Sequence, residues 1–483
     1  MNDNRNLTLL VDFYELTMGN GYFEKNFKDK IAYFDMFFRK VPEDGGYCIS
    51  AGLDQVISYL SSLEFSDEDI CFLKSKNCFS DKFLDYLKNF KFECDVWAIP
   101  EGTPVFPGEP LLMVKGPVIQ AQLVETMVLL TINHQTLIAT KASRICKSAL
   151  GRPVMEFGSR RAQGYDGAIY GARAAVIGGC SSTACTISDR MFNIPAVGTM
   201  AHSWIQLFDT ELEAFEDWCK INPDNSVLLI DTYNVIKSGL PNAIKAFDNI
   251  LKPLGKRPAG VRIDSGDITY LTKKTRKILD AAGYKDCKIV VSNSLDEYII
   301  RDVLEQGACI DSFGVGERLI TSKSEPILGG VYKLCAIEEN NKIIPRIKIS
   351  ENDEKITNPG FKKVYRIFDK DTDMAIADLI TLNYEIIDTS KSLQIYDPIN
   401  TWKRKIIKNF YTRELLQPIF IGGNLVYKSP SVLEIKDYAE KELSHIWAEV
   451  QRLENPHKYY VDLSDEMWKM KQKLLHEHVN LYM

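Results

Sequence analysis

Seven short apolar segments recur between residues 150 and 320, and each is closed by small or polar residues. They cover 154–157, 176–179, 195–198, 227–230, 261–263, 289–291 and 310–313, with helical patterns at 202–220, 243–251, 268–282 and 295–306 among them. This alternation predicts parallel strands joined by crossover helices. A sheet so built closes, fully or nearly, into a β/α barrel; an open doubly wound sheet is the alternative. In barrels the chemistry lies on the loops that follow the strands. The loops predicted here are polar: Gly158-Ser-Arg-Arg161, Cys180-Ser-Ser-Thr183, Thr199-Met-Ala-His-Ser203, Asp231-Thr-Tyr-Asn234, Asp264-Ser-Gly-Asp267, Ser292-Asn-Ser294 and Gly314-Val-Gly-Glu317.

The flanks read differently. Residues 7–30 carry one helical pattern, 32–39 a strand and 54–91 further helices. Prolines 100, 104, 107, 110 and 117 exclude helix from 96–118 and predict edge strands with tight turns there. Strand patterns return at 331–337, 342–349, 364–368 and 375–381, and amphipathic helices are expected at 443–453 and 464–478. At 483 residues the chain exceeds one compact core. The expected α/β architecture is therefore an N-terminal α+β domain (1–140) and an irregular β/α barrel of about seven strands (141–335). Residues 336–483 would return strands to the outer domain and end in a helical C-terminal extension.

Composition narrows the function. A net charge of −6 with no basic block argues against nucleic acid as a partner. The polar start Met1-Asn-Asp-Asn-Arg-Asn6 is not a signal peptide, and the longest apolar run, 123–132, is too short to cross a membrane. Eleven cysteines without a Cys-x-x-Cys pair predict reduced thiols, no structural zinc and a cytoplasmic protein.

Gly260-Val-Arg-Ile-Asp-Ser-Gly-Asp267 is the sharpest motif. In a strand its period of two puts Arg262 and Asp264 on one face, and the following helix start suits a sugar phosphate or a metal. An ion pair at a strand end is the plain alternative. His202 is the one histidine predicted at a strand-to-helix turn: four of the six lie in the charged tail, and His134 reads as a partly buried helical residue. It is a candidate base or nucleophile, with Asp231 as orienting carboxylate; a turn capped by Ser203 is the structural reading. Arg160 and Arg161 could clamp phosphate or carboxylate. Gly314 and Gly316 could free backbone amides for phosphate, and Ser181 and Ser182 offer neutral donors. No Walker loop or dinucleotide fingerprint is present.

Together with Leu9-Leu-Val-Asp-Phe-Tyr-Glu-Leu-Thr-Met18, Val290-Val-Ser-Asn293 and Gly329-Gly-Val-Tyr-Lys-Leu334, these motifs closely resemble those of nicotinate phosphoribosyltransferases, in order, over roughly residues 7–335. The resemblance implies condensation of nicotinate with phosphoribosyl pyrophosphate, coupled to ATP hydrolysis, in NAD biosynthesis or salvage. It implies Mg2+ as cofactor, ATP as co-substrate and a cytoplasmic homodimer with shared active sites. By that resemblance His202 becomes a phosphohistidine beside Asp231. Nicotinate is held by Tyr14 of the partner subunit with Phe157, Arg160, Ser181, Ser182, Thr199 and Arg262. Phosphoribosyl pyrophosphate falls to Arg161, Asp264, Ser265, Gly266, Asp267, Asn293, Gly314 and Gly316, with magnesium on Asp264 and Asp267. Serines at 181 and 182 favour nicotinate over nicotinamide. Glu317 departs from the family pattern and is expected to point elsewhere or bind metal.

Two other classes compete. A sugar-phosphate aldolase or isomerase would use a lysine or carboxylate base at the barrel mouth, and no lysine directly follows the main strands. A non-catalytic sensor of nucleotide precursors would not need His202.

Overall fold

A computed structural model describes residues 5–352, 355–400 and 402–482; the first four residues of the polar start lie outside it. The chain divides into two compact units. One comprises residues 138–326 and 431–436, the other 1–137, 327–430 and 437–483.

The first unit is built on a six-stranded parallel sheet. Its strands are Val154–Glu156, Ser182–Thr183, Val227–Leu229, Gly260–Ile263, Lys288–Ser292 and Ser312–Val315. Val154–Glu156 pairs on one side with Ser182–Thr183 and on the other with Ser312–Val315, so the first and last strands are neighbours. The remaining strands follow chain order through Lys288–Ser292 and Gly260–Ile263 to Val227–Leu229. All strand C-termini thus face one way, and the loops after them converge.

Four expectations change here. The 176–179 segment ends the helix Gly164–Ile177 instead of forming a strand. Ala172 to Ala175 favour helix, and Gly178 and Gly179 end it by donating to Ala174 O and Val176 O. The strand comes later, at Ser182–Thr183. At 195–198 only a single bridge forms, Ala196 to Thr183, because Pro195 has no amide to extend the ladder. The helix at 202–220 is two helices, His202–Gln206 and Glu211–Ile221; Thr210 restarts the second by accepting the Glu213 amide at 3.2 Å. The last strand runs two residues further than the pattern, since Val315 O accepts the Phe157 amide at 2.7 Å, which puts Gly314 inside it. The 260–263 strand matches its expectation, with Val261 and Ile263 fully buried behind Arg262.

The second unit holds a seven-stranded sheet with Ile31–Phe38 and Leu112–Pro117 at its centre. The 112–117 segment is therefore internal, not an edge strand; its Pro117 stands at the last position, where a missing amide costs little. Helices Phe13–Glu24, Leu53–Ser61 and Asp81–Lys88 bury Leu16, Val56 and Phe83 in the same core as Met36 and Val114. The C-terminal third holds more strand than expected beside its helices Val432–Ser444 and Asp465–Tyr482. It contributes a six-stranded sheet, ordered Arg404–Ile407, Leu393–Tyr396, Val461–Leu463, Ala375–Leu382, Lys362–Asp369 and Phe410–Glu414. The helix expected at 443–453 sits earlier, at Val432–Ser444, because Ser431 and Glu434 close a reciprocal capping box at 2.8 and 3.3 Å. Ile446 and Val450 are buried from turns. The helix Asp465–Tyr482 agrees with the sequence pattern.

All eleven cysteines are free thiols, seven of them buried. No helix among the described residues is long and apolar enough to cross a membrane.

Candidate functional site

Arg262 organises the strand ends of the parallel sheet. Its Nε donates to Ser292 Oγ at 2.9 Å, one terminal nitrogen to Thr199 Oγ1 at 3.2 Å and the other to Asp264 Oδ1 at 3.1 Å. Ser292 Oγ also donates to Asp264 Oδ1. The guanidinium lies 5.5 Å from the Phe157 ring centroid, within cation–π range. Phe157 in turn lies against Gly314, where an added Cβ would come within 2.6 Å of the ring. The ring's position thus depends on a missing side chain two strands from Arg262, and this is the role the structure gives Gly314.

His202 opens its short helix, whose N-cap is Ala201; Ser203 does not cap it. Its Nδ1 lies 3.0 Å from Thr232 Oγ1. The expected carboxylate partner is engaged elsewhere: Asp231 Oδ2 accepts the Asp264 amide at 3.0 Å and the Ser265 hydroxyl at 2.6 Å. Asp231 therefore fixes the 264–265 turn, and Thr232 holds the imidazole. The other Asp231 oxygen, Oδ1, is buried without a hydrogen-bond partner.

The remaining candidates are placed as follows. Gly266, at φ +83°, turns the chain between Ser265 and Asp267. Asp267 is the N-cap of Ile268–Ala281, accepting the Tyr270 amide at 2.7 Å. Asn293, at φ 85°, and Ser294, at φ 49°, form a left-handed pair after their strand. Gly316 precedes the one-turn helix Glu317–Ile320. Arg160 and Arg161 stand exposed on a single turn, Ser159–Arg161. Glu317 points to Lys323 at 2.8 Å; that lysine, with Arg161 nearby, holds its carboxyl below the ordinary range.

Ser181 and Ser182 are not on the loop after a strand. Ser181 Oγ donates to Val154 O at 3.1 Å, and Ser182 is buried within the strand. The residues that follow that strand are Ala184 and Cys185. Tyr14 lies on Phe13–Glu24 in the other unit, 44% exposed; burial and the Glu125 carboxylate keep its phenol protonated far above the usual range.

Three contributors were not singled out from sequence. Thr232 and Ser292 sat inside recognised motifs, but their side chains act across strands, which spacing along one strand does not report. Glu156, fully buried, accepts the Gly158 amide and the Thr183 hydroxyl, the latter at 2.7 Å. Burial raises its carboxyl pKa, partly offset by those donors. Its signal was a lone acid in an apolar strand.

Among the described residues no cluster of three or more His, Cys, Asp or Glu could hold a metal unaided. A magnesium ion carried by a polyphosphate needs only one or two protein carboxylates. Asp264, Asp267 and the unpartnered Oδ1 of Asp231 fit that lesser demand.

An arginine and two aspartates at the ends of parallel strands, with a histidine on a neighbouring loop, define a mixed α/β protein with its polar site on the strand-end loops. The crystal structure of human nicotinic acid phosphoribosyltransferase shares the fold, with a TM-score of 0.84 at 28% identity over 97% of this chain and 100% of that one. Family models match the nicotinate phosphoribosyltransferase N-terminal domain over residues 9–133, the nicotinate phosphoribosyltransferase family over 153–366 and the nicotinate phosphoribosyltransferase C-terminal domain over 361–471. The chain is 42% identical over 474 residues to nicotinate phosphoribosyltransferase of Bacillus subtilis, covering 98% of this chain and 96% of that protein. It is 34% identical to the Dictyostelium discoideum enzyme of the same name, over 95% and 87%. The chain belongs to the nicotinate phosphoribosyltransferase family.

Proposed function

We propose that this protein joins nicotinate to phosphoribosyl pyrophosphate, yielding nicotinate mononucleotide and pyrophosphate for NAD salvage, with ATP hydrolysis driving turnover through phosphorylated His202. One observation carries the substrate assignment. A guanidinium fixed by three oxygen acceptors stands beside an aromatic ring, and that pairing suits a planar aromatic carboxylate.

The pyridine nitrogen carries its own lone pair, so no protein base has to deprotonate it. It attacks the anomeric carbon as the bond to pyrophosphate breaks, through a cation-like sugar that nearby carboxylates favour. Magnesium, when bound, offsets the charge of the pyrophosphate; Asp264, Asp267 and Asp231 would hold it alongside phosphate oxygens and water. Arg161, Asn293 and the backbone at Gly316 are proposed to bind the remaining phosphate oxygens. Arg160 is proposed to attract the carboxylate of nicotinate. Ser181 no longer supports a preference over nicotinamide, because its hydroxyl is committed to Val154. Arg262 supports that preference instead, through charge.

With Nδ1–H donating to Thr232, His202 presents the Nε2 lone pair to the γ-phosphorus of ATP. The phosphoryl group moves to Nε2, ADP leaves, and water later releases inorganic phosphate. The chain order of pairing supports reading the sheet as an incomplete barrel, interrupted between residues 196 and 227. Tyr14 shares its helix and the preceding turn with exposed Leu10, Phe13 and Met18, which supports a homodimer in which each site receives Tyr14 from the other copy.

Pyrophosphate release is the test, with nicotinate or nicotinamide and with or without ATP. Nicotinate-dependent release, raised by ATP with matching ADP formation, is expected. Equal use of nicotinamide would remove the Arg262 argument, and no release with either would end the proposed reaction.

A further inference from the structure

The second unit encloses a cavity of about 690 Å³ that contains none of the residues placed in the site above. It falls in the volume range of small-molecule pockets. Asp35, Asn358, Lys362, Asp397, Asp462 and Lys471 are among its lining residues, and Arg39, Lys40, Lys403 and Lys458 border it as well.

Asp35 and Lys362 answer each other. They are 4% and 2% exposed and form an ion pair at 2.6 Å, and Lys362 also donates to the carbonyls of Asn358 and Gly360. Lys471 and Asp462 have no such answer. Lys471 is 5% exposed, and its ammonium donates only to neutral oxygens, Asn358 Oδ1 at 3.0 Å and Pro398 O at 3.3 Å. Among the described residues no carboxylate pairs with it, so its third donor is unused. Asp462 is 6% exposed, and no described residue donates a hydrogen bond to its carboxylate. Asp397 accepts the amides of Ile399 and Asn400 at 2.9 and 2.7 Å.

Buried charge without a direct ion pair is rare because desolvation opposes it. Burial has moved both groups: Lys471 is lowered to about 8, with the Asp397 carboxylate acting weakly against it, and Asp462 is raised to about 6 by burial and by Asp397, against the pull of Lys405 and Lys458. At neutral pH each still carries its charge. A cavity lined by an ammonium that no carboxylate pairs with directly and a carboxylate that no donor reaches is complementary to a molecule that supplies both.

We infer that this cavity is a second ligand site, taking a small organic anion that also carries hydroxyl groups: the anion on Lys471, the hydroxyls on Asp462. It stands independently of the proposed reaction. The anion's source can be a phosphate or a carboxylate, and the probes separate them.

The experiment is calorimetric titration of the full chain with ribose 5-phosphate and, separately, gluconate. Both are run on Arg161→Ala/Arg262→Ala protein, to weaken the strand-end site towards phosphate and carboxylate alike, and on the same protein with Lys471→Met added. Saturable binding of at least one probe is expected, weakened about tenfold or more by Lys471→Met, the loss of one charged hydrogen bond. Binding of ribose 5-phosphate alone assigns a phosphate, and binding of gluconate alone a carboxylate. If neither probe binds at millimolar concentration, or if Lys471→Met leaves the affinity unchanged, the inference is overturned. Should that variant fail to fold, Asp462→Asn decides in its place: weakened binding supports the site and unchanged binding overturns it.

Discussion

Two polar regions of this molecule handle charge in opposite ways. At the strand ends of the parallel sheet, Arg262 has Ser292, Thr199 and Asp264, and the backbone amide of Asp264 donates to Asp231. In the cavity of the other unit, Lys471 has two neutral oxygens and Asp462 has no hydrogen-bond donor among the described residues. The first arrangement is set before any ligand arrives, which is what fast chemistry needs, since no reorganisation is left to the transition state. The second leaves its charges dependent on whatever enters. Damage to the first should therefore cost turnover, and relief of the second should raise stability.

The largest effect is expected from His202→Ala. Loss of the phosphoryl acceptor should lower nicotinate-dependent ADP formation by about a thousandfold or more, as removal of a covalent nucleophile does. Pyrophosphate release without ATP should persist. ATP hydrolysis at the wild-type rate in this variant would end the phosphohistidine reading. Next comes Arg262→Lys, which keeps the charge but not the fork that reaches three acceptors. A fall in kcat/KM for nicotinate of about a hundredfold is expected, measured by initial rates at saturating phosphoribosyl pyrophosphate. A change below threefold would mean that charge alone matters there.

Gly314→Ala sharpens the same contrast without touching a charge. Its Cβ would meet Phe157 at 2.6 Å, and the ring must move off the guanidinium. KM for nicotinate should rise about tenfold, the scale of one lost aromatic contact, with a smaller change in kcat. An unchanged KM would show that Phe157 does not hold the substrate.

These positions also show what sequence can carry. Arg262 and Asp264 were legible because a strand's period of two is rigid: Val261 and Ile263 had to face the other way, and both are fully buried. The helix after Asp267 was legible because an aspartate at the N-cap is a local signal. Thr232 was not, since its bond to His202 joins residues 30 apart on adjacent loops. Ser181 was misplaced because Val176 and Ile177 look like strand residues but end a helix, so the true strand begins at Ser182. The C-terminal sheet was underestimated because its strands at 393–396, 404–407 and 461–463 are three or four residues long, too short for a periodic pattern to stand out. Lys471 was not singled out, since it lies inside the amphipathic pattern of 464–478.

The smallest effect on turnover is expected from Lys471→Met, and its informative readout is stability. In the folded chain Lys471 gives up its proton near pH 8, against 10.5 unperturbed. Between those values the unfolded chain holds more protons, so wild-type stability rises with pH across the window. Below pH 8 the folded state bears the full cost of the buried ammonium, on the order of 3 kcal/mol. Methionine keeps the length of the side chain and removes that cost, at the loss of two hydrogen bonds whose acceptors border a cavity that admits water. The variant should therefore melt a few degrees higher than wild type at pH 7, with the gap closing as pH rises towards 10.5. A lower melting temperature at pH 7 would mean that the Asn358 and Pro398 contacts outweigh the desolvation of Lys471. The cavity would then be a well-satisfied structural feature, and the contrast between the two regions would fail. Saturating ribose 5-phosphate or gluconate, whichever binds, should raise the wild-type melting temperature more than that of the methionine variant, which keeps only the hydroxyl contacts to Asp462.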